Sequence, residues 1–114
     1  MLTQGVAHPM QWELPAGYRG WVLAQFEDPT CPPERAEGIF DIFAVGADGR
    51  ACTSSRLPHG WQYVQYVSVG PTGKTEIDRS LVTPWAVNNE RNRRTLYVGN
   101  REQADPQQLP ADWR

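Results

Sequence analysis

Apolar and polar residues along this chain of 114 residues alternate in short runs, and the period of an amphipathic helix is nearly absent. GYRGWVLAQF, residues 17–26, reads as a strand entered through a turn at 15–17. It puts Trp21 and Leu23 on one face and Val22, Ala24 and Phe26 on the other. EDPTCPPERAEG, residues 27–38, carries three prolines and several charges, which predicts an exposed loop. IFDIFAV (39–45) and RACTSS (50–55) flank GADG, where Asp48-Gly49 suits a tight turn, so the two runs are expected to pair as an antiparallel hairpin.

GWQYVQYVSV, residues 60–69, alternates most regularly, with Trp61, Tyr63, Val67 and Val69 on one face and Val64 and Tyr66 on the other. GPTG (70–73) then turns the chain into KTEID (74–78), a second hairpin. Pro84 restricts LVTPWAV (81–87) to an edge, NNERNRR (88–94) reads as a polar loop, and TLYVG (95–99) is the last strand. These elements predict an all-β fold, a small two-layer antiparallel β-sandwich or a partly open β-barrel. Residues 1–12 form an N-terminal arm, 13–103 a single β domain and 104–114 a short irregular tail, whose Trp113 either packs back or hangs free. Gly17, Gly20, Gly49 and Gly60 are expected at turns and strand entries, with Trp21 and Trp61 supplying core mass just after them.

Composition agrees, since ten glycines and ten prolines favour many short elements joined by turns. The net charge of −2 gives no basic field for a nucleic-acid backbone, and no nucleic-acid partner is expected. No apolar run is long enough for a membrane span, so the membrane enters only through a lipid anchor on a leader removed from this chain. Cys31 and Cys52, 21 positions apart, fit neither a zinc-ligand pair nor a redox CxxC. A disulfide, implying an oxidising compartment, and two buried thiols remain equally open.

Catalytic chemistry is poorly supplied. Cys52 and His59 could pair as thiol and base, but no activating charge or orienting partner accompanies them. No metal-ligand spacing and no phosphate loop occurs, so neither a cofactor nor an enzymatic activity is expected. Asp41 stands inside the apolar run IFDIF, on the face of Ile39 and Phe43, where an unpaired charge is costly. Three environments fit it: solvent on an edge strand, an arginine partner, or a functional site. Arg91, Arg93 and Arg94 make a local cation patch suited to an acidic protein partner, with a solvated loop as the plainer reading. Among the aromatics, Tyr18 precedes the buried run and is the binding candidate of its stretch, while His59 lies in the turn before Trp61.

PAGYRGWV, CPPE, DGRACTSS, GW and LYVGNREQ, in that order, resemble a family of small bacterial β-rich domains of uncharacterised function, often found behind a lipoprotein signal. The resemblance spans roughly residues 13–103 and implies a β fold and a place in the periplasm or cell envelope, with the cytoplasm as the alternative. It implies no catalytic residues. The expected function is non-catalytic protein binding. One concrete form is an immunity protein that neutralises a secreted toxin by direct binding. The alternative is a carbohydrate- or small-ligand-binding module using exposed Trp and Tyr.

Overall fold

A computed structural model describes residues 8–58 and 62–114. His59, Gly60 and Trp61, three of the residues singled out above, lie outside the described residues. Alternation in MQWELP makes β1 (Met10–Pro15), which sends Met10, Trp12 and Leu14 inward and turns Gln11 and Glu13 outward. β1 runs parallel to both of its neighbours, β4 (Phe40–Ala44) and β6 (Val64–Gly70). The edge strands β3 (Arg35–Glu37) and β7 (Gly73–Glu76) complete a sheet ordered β3-β4-β1-β6-β7. A second sheet is ordered β5-β2-β9-β8, from β5 (Arg50–Cys52), β2 (Gly20–Gln25), β9 (Arg93–Val98) and β8 (Val82–Asn88). The fold is a small two-layer β-sandwich with no closed barrel.

Sequence expectation and structure differ in five places. Residues 10–12 are not an arm but part of the central strand of the first sheet, because their apolar positions are needed in the core. The pairing is mixed rather than purely antiparallel: β1 has two parallel partners, and β2 pairs parallel with β5. The expected hairpin between 39–45 and 50–55 does not form. Both edges of β4 are already taken by β1 and β3, so the turn at Gly46–Gly49 carries the chain to the other sheet, where β5 adds to β2. β3 is a short exposed strand within the predicted loop. The turn at 70–73 does pair β6 with β7 antiparallel, and β8 lies at an edge with a bulge between Pro84 and Ala86.

Trp21 is the fifth difference. Val22, Ala24 and Phe26 take the inner face of β2, so alternation leaves Trp21 half-buried on the outer face of its sheet. Its ring stands edge-on to Trp85 and Tyr97, each 5.0 Å away, and its indole N–H donates to the Asp105 carbonyl at 3.1 Å. The C-terminal tail lies against this face. Asn100 and Asp105 cap successive 3₁₀ turns, Leu109 is buried, and Trp113 stacks on the Arg93 guanidinium at 4.3 Å. Trp113 therefore packs back onto the body.

The core lies between the sheets. Trp12 meets Phe43 at 4.9 Å, Tyr66 at 6.3 Å and Phe26 at 6.4 Å between ring centroids, so one side chain touches strands of both layers. Gly17 and Gly20 have positive φ on the way into β2. Gly49, with φ +80°, faces the Tyr18 hydroxyl so closely that an added Cβ would lie 2.1 Å from it. Cys31 and Cys52 form a disulfide that ties the proline-rich loop to β5. Thr53 Oγ1 and the Ser54 N–H add hydrogen bonds to the Pro32 carbonyl.

Because the bridge closes a loop across 21 positions, its loss is expected to cost about 3 kcal/mol. Urea denaturation of the oxidised protein against the Cys31→Ser/Cys52→Ser double variant measures this. Equal midpoints would show that the bridge adds nothing.

Candidate functional site

Strand alternation fills most of the interior with apolar side chains, but at one end of the sandwich it delivers charge. On β9, Arg94 pairs opposite Ala24 and shares the inner face with Leu96 and Val98. Asp41 on β4 sits opposite Met10 and is turned toward the same interior. Glu34 joins them from the segment stapled by the disulfide, its backbone N–H donating to Ser55 Oγ at 3.0 Å. An open cleft of about 290 Å³ lies here, lined by His8, Glu34, Asp41, Arg56, Pro58 and Gln62 among others.

Some polar groups of this cleft are satisfied and some are not. His8 Nδ1 lies 3.1 Å from the Asp41 carboxylate, and the Gln62 amide donates to the His8 carbonyl at 2.9 Å. Arg94 Nη2 donates to the Pro58 carbonyl at 3.2 Å, and its guanidinium lies over the Phe26 ring at 5.8 Å. Glu34 Oε2, Gln62 Oε1 and Arg94 Nε are buried without a partner among the described residues. Burial pushes the Glu34 carboxyl up to about 7, with Asp41 adding to the rise and Arg94 opposing it. Burial also pulls the Arg94 guanidinium below its ordinary value, against the influence of Tyr66 and Glu34. Incompletely paired charge in a low-dielectric cleft is what a binding site for a polar group requires, and it is costly where nothing binds.

A larger concavity of about 490 Å³ lies under the tail, beside Arg93, Asp112 and Trp113. Its arginine is already engaged: Arg93 donates to Gln25 Oε1 at 2.8 Å and to the Asp112 carbonyl at 2.7 Å, besides stacking on Trp113. That space is a packing seam, and the smaller cleft is the stronger candidate on chemistry. No group of three or more His, Cys, Asp or Glu among the described residues could hold a metal ion.

The expected site residues separate accordingly. Asp41 lines the cleft and has a histidine rather than an arginine for its neighbour, while Arg94 lies inward of the lining and reaches it through the Pro58 carbonyl. The three arginines do not form one patch, because β9 begins at Arg93 and not at 95, and alternation sends Arg93 outward beneath the tail and Arg94 inward. Arg91 is exposed, and its backbone carbonyl accepts from Gln25 Nε2 at 2.7 Å. Tyr18 is not an exposed anchor. It is half-buried against the core with its hydroxyl on the Trp21 carbonyl, and burial, followed by the Asp48 carboxylate, raises its pKa. Cys52 is bonded to Cys31, so its thiol is unavailable as a nucleophile. Glu34 and His8 also belong to the cleft, and no local sequence feature singles them out.

On the rim of this end, Tyr63 is 53% exposed and Ile39 64% exposed. The Tyr63 ring lies 6.2 Å from Phe40 and 5.5 Å from the Arg79 guanidinium. With this geometry in view, residues 7–106 match the model of a family of unknown function, DUF6843. The chain belongs to this family. The DUF6843 match begins before β1 and so takes in the strand that carries Trp12. The domain is also similar in fold to a crystal structure from Bacillus anthracis titled a "putative lipoprotein", with a TM-score of 0.71 at 22% identity over 90% of this chain and 81% of that one. No curated protein sequence matches this DUF6843 domain.

The raised Glu34 pKa fixes the sign of a pH effect. The unfolded chain holds this carboxyl near 4.5 and the folded one near 7, so the folded state binds the proton more tightly and stability is lost as pH rises through that window. Glu34→Gln should therefore gain stability relative to the parent between pH 5 and pH 8. Urea denaturation of both proteins at the two pH values tests this, and a difference that does not change with pH would count against a buried, protonating Glu34.

Proposed function

We propose that this DUF6843 domain is a non-catalytic binding domain of the bacterial cell envelope that docks a protein partner on the Asp41 end of the sandwich. The observation that carries the reading is the juxtaposition of apolar and polar surface there. Tyr63 and Ile39 stand exposed on the rim, and behind them polar atoms of Glu34, Gln62 and Arg94 are buried without a partner among the described residues. Aromatic anchors bordering a partly desolvated polar pocket are the usual makings of an interface hot spot. The Arg79 guanidinium over Tyr63 adds a second residue type enriched in such surfaces.

The envelope reading draws support from the Cys31–Cys52 disulfide, a bond that persists in oxidising compartments. The likeness in fold to the Bacillus anthracis "putative lipoprotein" supports it further. The sugar-stacking alternative has less behind it. Among the described aromatics, the exposed Tyr63 and Trp85 belong to different sheets and offer no common platform, and Trp85 is occupied edge-on by Trp21.

A photo-crosslinking residue at position 63 in the producing bacterium should capture one protein, while the same residue at the exposed Thr75 on β7 should not. With that partner purified, Tyr63→Ala is expected to weaken one-to-one binding by about 2 kcal/mol, roughly thirtyfold, at unchanged melting temperature. Crosslinks that favour position 75, or calorimetry giving equal affinity for the variant, would remove the proposal.

A further inference from the structure

The sandwich has a second opening, along its side between β6 and β8. The bulge at Pro84/Ala86 bends β8 at this edge, and an open crevice of about 230 Å³ runs inward between the sheets. Its walls are mostly apolar, from Val64, Ala86 and Leu96 among others, and Trp12, Tyr66, Arg94 and Thr95 supply its side-chain polar atoms. Trp12 is 1% exposed, yet its indole N–H has no partner among the described residues. Among the described residues Arg94 donates only through Nη2, to the Pro58 carbonyl, and no carboxylate lies within ion-pair distance of it.

The balance of donors and acceptors defines what would fit. Burial raises the Tyr66 pKa, so its hydroxyl stays protonated and able to donate. Indole N–H, guanidinium and phenol together make an apolar crevice rich in donors, with a positive charge and no carboxylate in the crevice lining. A guanidinium matches the planar geometry of a carboxylate, and apolar walls reject a multiply charged phosphate. The volume of about 230 Å³ holds roughly eight to nine non-hydrogen atoms at about 25–30 Å³ each.

We propose that this crevice binds a small apolar monocarboxylate, such as a medium-chain fatty acid, with the carboxylate on Arg94 and the hydrocarbon against Trp12, Tyr66 and Leu96. The site shares Arg94 with the protein-docking end but opens on another side of the sandwich. It uses neither Tyr63 nor Ile39, and its ligand reaches Arg94 from the β6/β8 side.

The test uses the whole chain, labelled with nitrogen-15 and titrated with sodium hexanoate, sodium octanoate and, as an uncharged match, 1-hexanol. Hexanoate is expected to give saturable shifts at the Trp12 indole N–H and at the Val87 and Leu96 amides. Arg94→Met should weaken hexanoate at least tenfold and alter 1-hexanol less than threefold. Ala86→Phe, which fills the crevice from β8 and leaves every charge in place, should abolish both. The second variant keeps the test decisive if the first fails to fold. Shifts that rise linearly without saturation, equal hexanoate affinity in Arg94→Met, or binding that survives Ala86→Phe would each overturn the proposal. Arg94 also lies behind the Tyr63 rim, so it is Ala86→Phe, which leaves that end of the sandwich untouched, that makes loss of hexanoate binding and loss of the protein partner separate results.

Discussion

The packing of Trp12 against both layers is the interaction on which the rest of the domain depends. β1 has no local partner: its neighbours β4 and β6 lie parallel to it and reach it only after long stretches of chain. Strand pairing alone therefore cannot hold it in register early. The Trp12 ring, in contact with Phe43 on β4, Tyr66 on β6 and Phe26 at the end of β2, supplies a side-chain reason for those strands to converge. Phe26 and Phe43 close the cluster at 4.9 Å, which joins the two sheets without passing through Trp12. A small domain buries little surface in total, so aromatic mass concentrated at one junction decides whether it forms a single structure.

The same alternation that builds this core also fixes where it ends. On β9, Leu96 and Val98 face inward, and a period of two requires Arg94 to do so as well. Its neighbour Arg93 must then face outward, where the tail folds over it through Asp112 and Trp113. Two adjacent arginines thus act on opposite sides of one sheet. One is consumed in holding the C-terminus and the other is left partly unpaired inside, beside Glu34. The electrostatic character of the polar end is a consequence of strand register and not of a charged loop.

Much of the fold was legible in the sequence, and the failures have physical causes. The two layers, the β6–β7 hairpin, the edge role of β8 and the alternation in β2 all follow from short-range signals. β1 was equally well marked, since Met10, Trp12 and Leu14 alternate with Gln11 and Glu13, but the expected boundary after residue 12 cut that alternation in two. The assignment of β5 could not be local. Asp48-Gly49 specifies a turn, whereas the destination of the chain after it depends on β3 and β1 having filled both edges of β4. For the site, Asp41 was conspicuous because it interrupts an apolar run. Glu34 was not, because nothing near it in sequence reports that the disulfide and the 53–55 segment draw its loop onto the end of the sandwich.

The surfaces that remain open acquire meaning from those that are closed. The outer face of the second sheet is occupied by the tail, through Trp21, Arg93 and Leu109. On the outer face of the first sheet, Glu13 lies 2.8 Å from Arg35 and 2.7 Å from Lys74, and both cations also reach Glu37, so that face is spanned by mutually satisfied charges. What is left is the polar end and the side crevice. Among the described residues, four of the five exposed large hydrophobics sit beside these openings: Ile39 and Tyr63 next to Asp41 and Gln62 of the first, Trp85 and Val87 on the strand that borders the second. Isolated exposed apolar residues need no explanation, but their placement beside the two regions where buried polar atoms lack partners does. The two features have opposite costs in water, and a bound molecule that covers apolar surface while meeting the unpaired groups relieves both together.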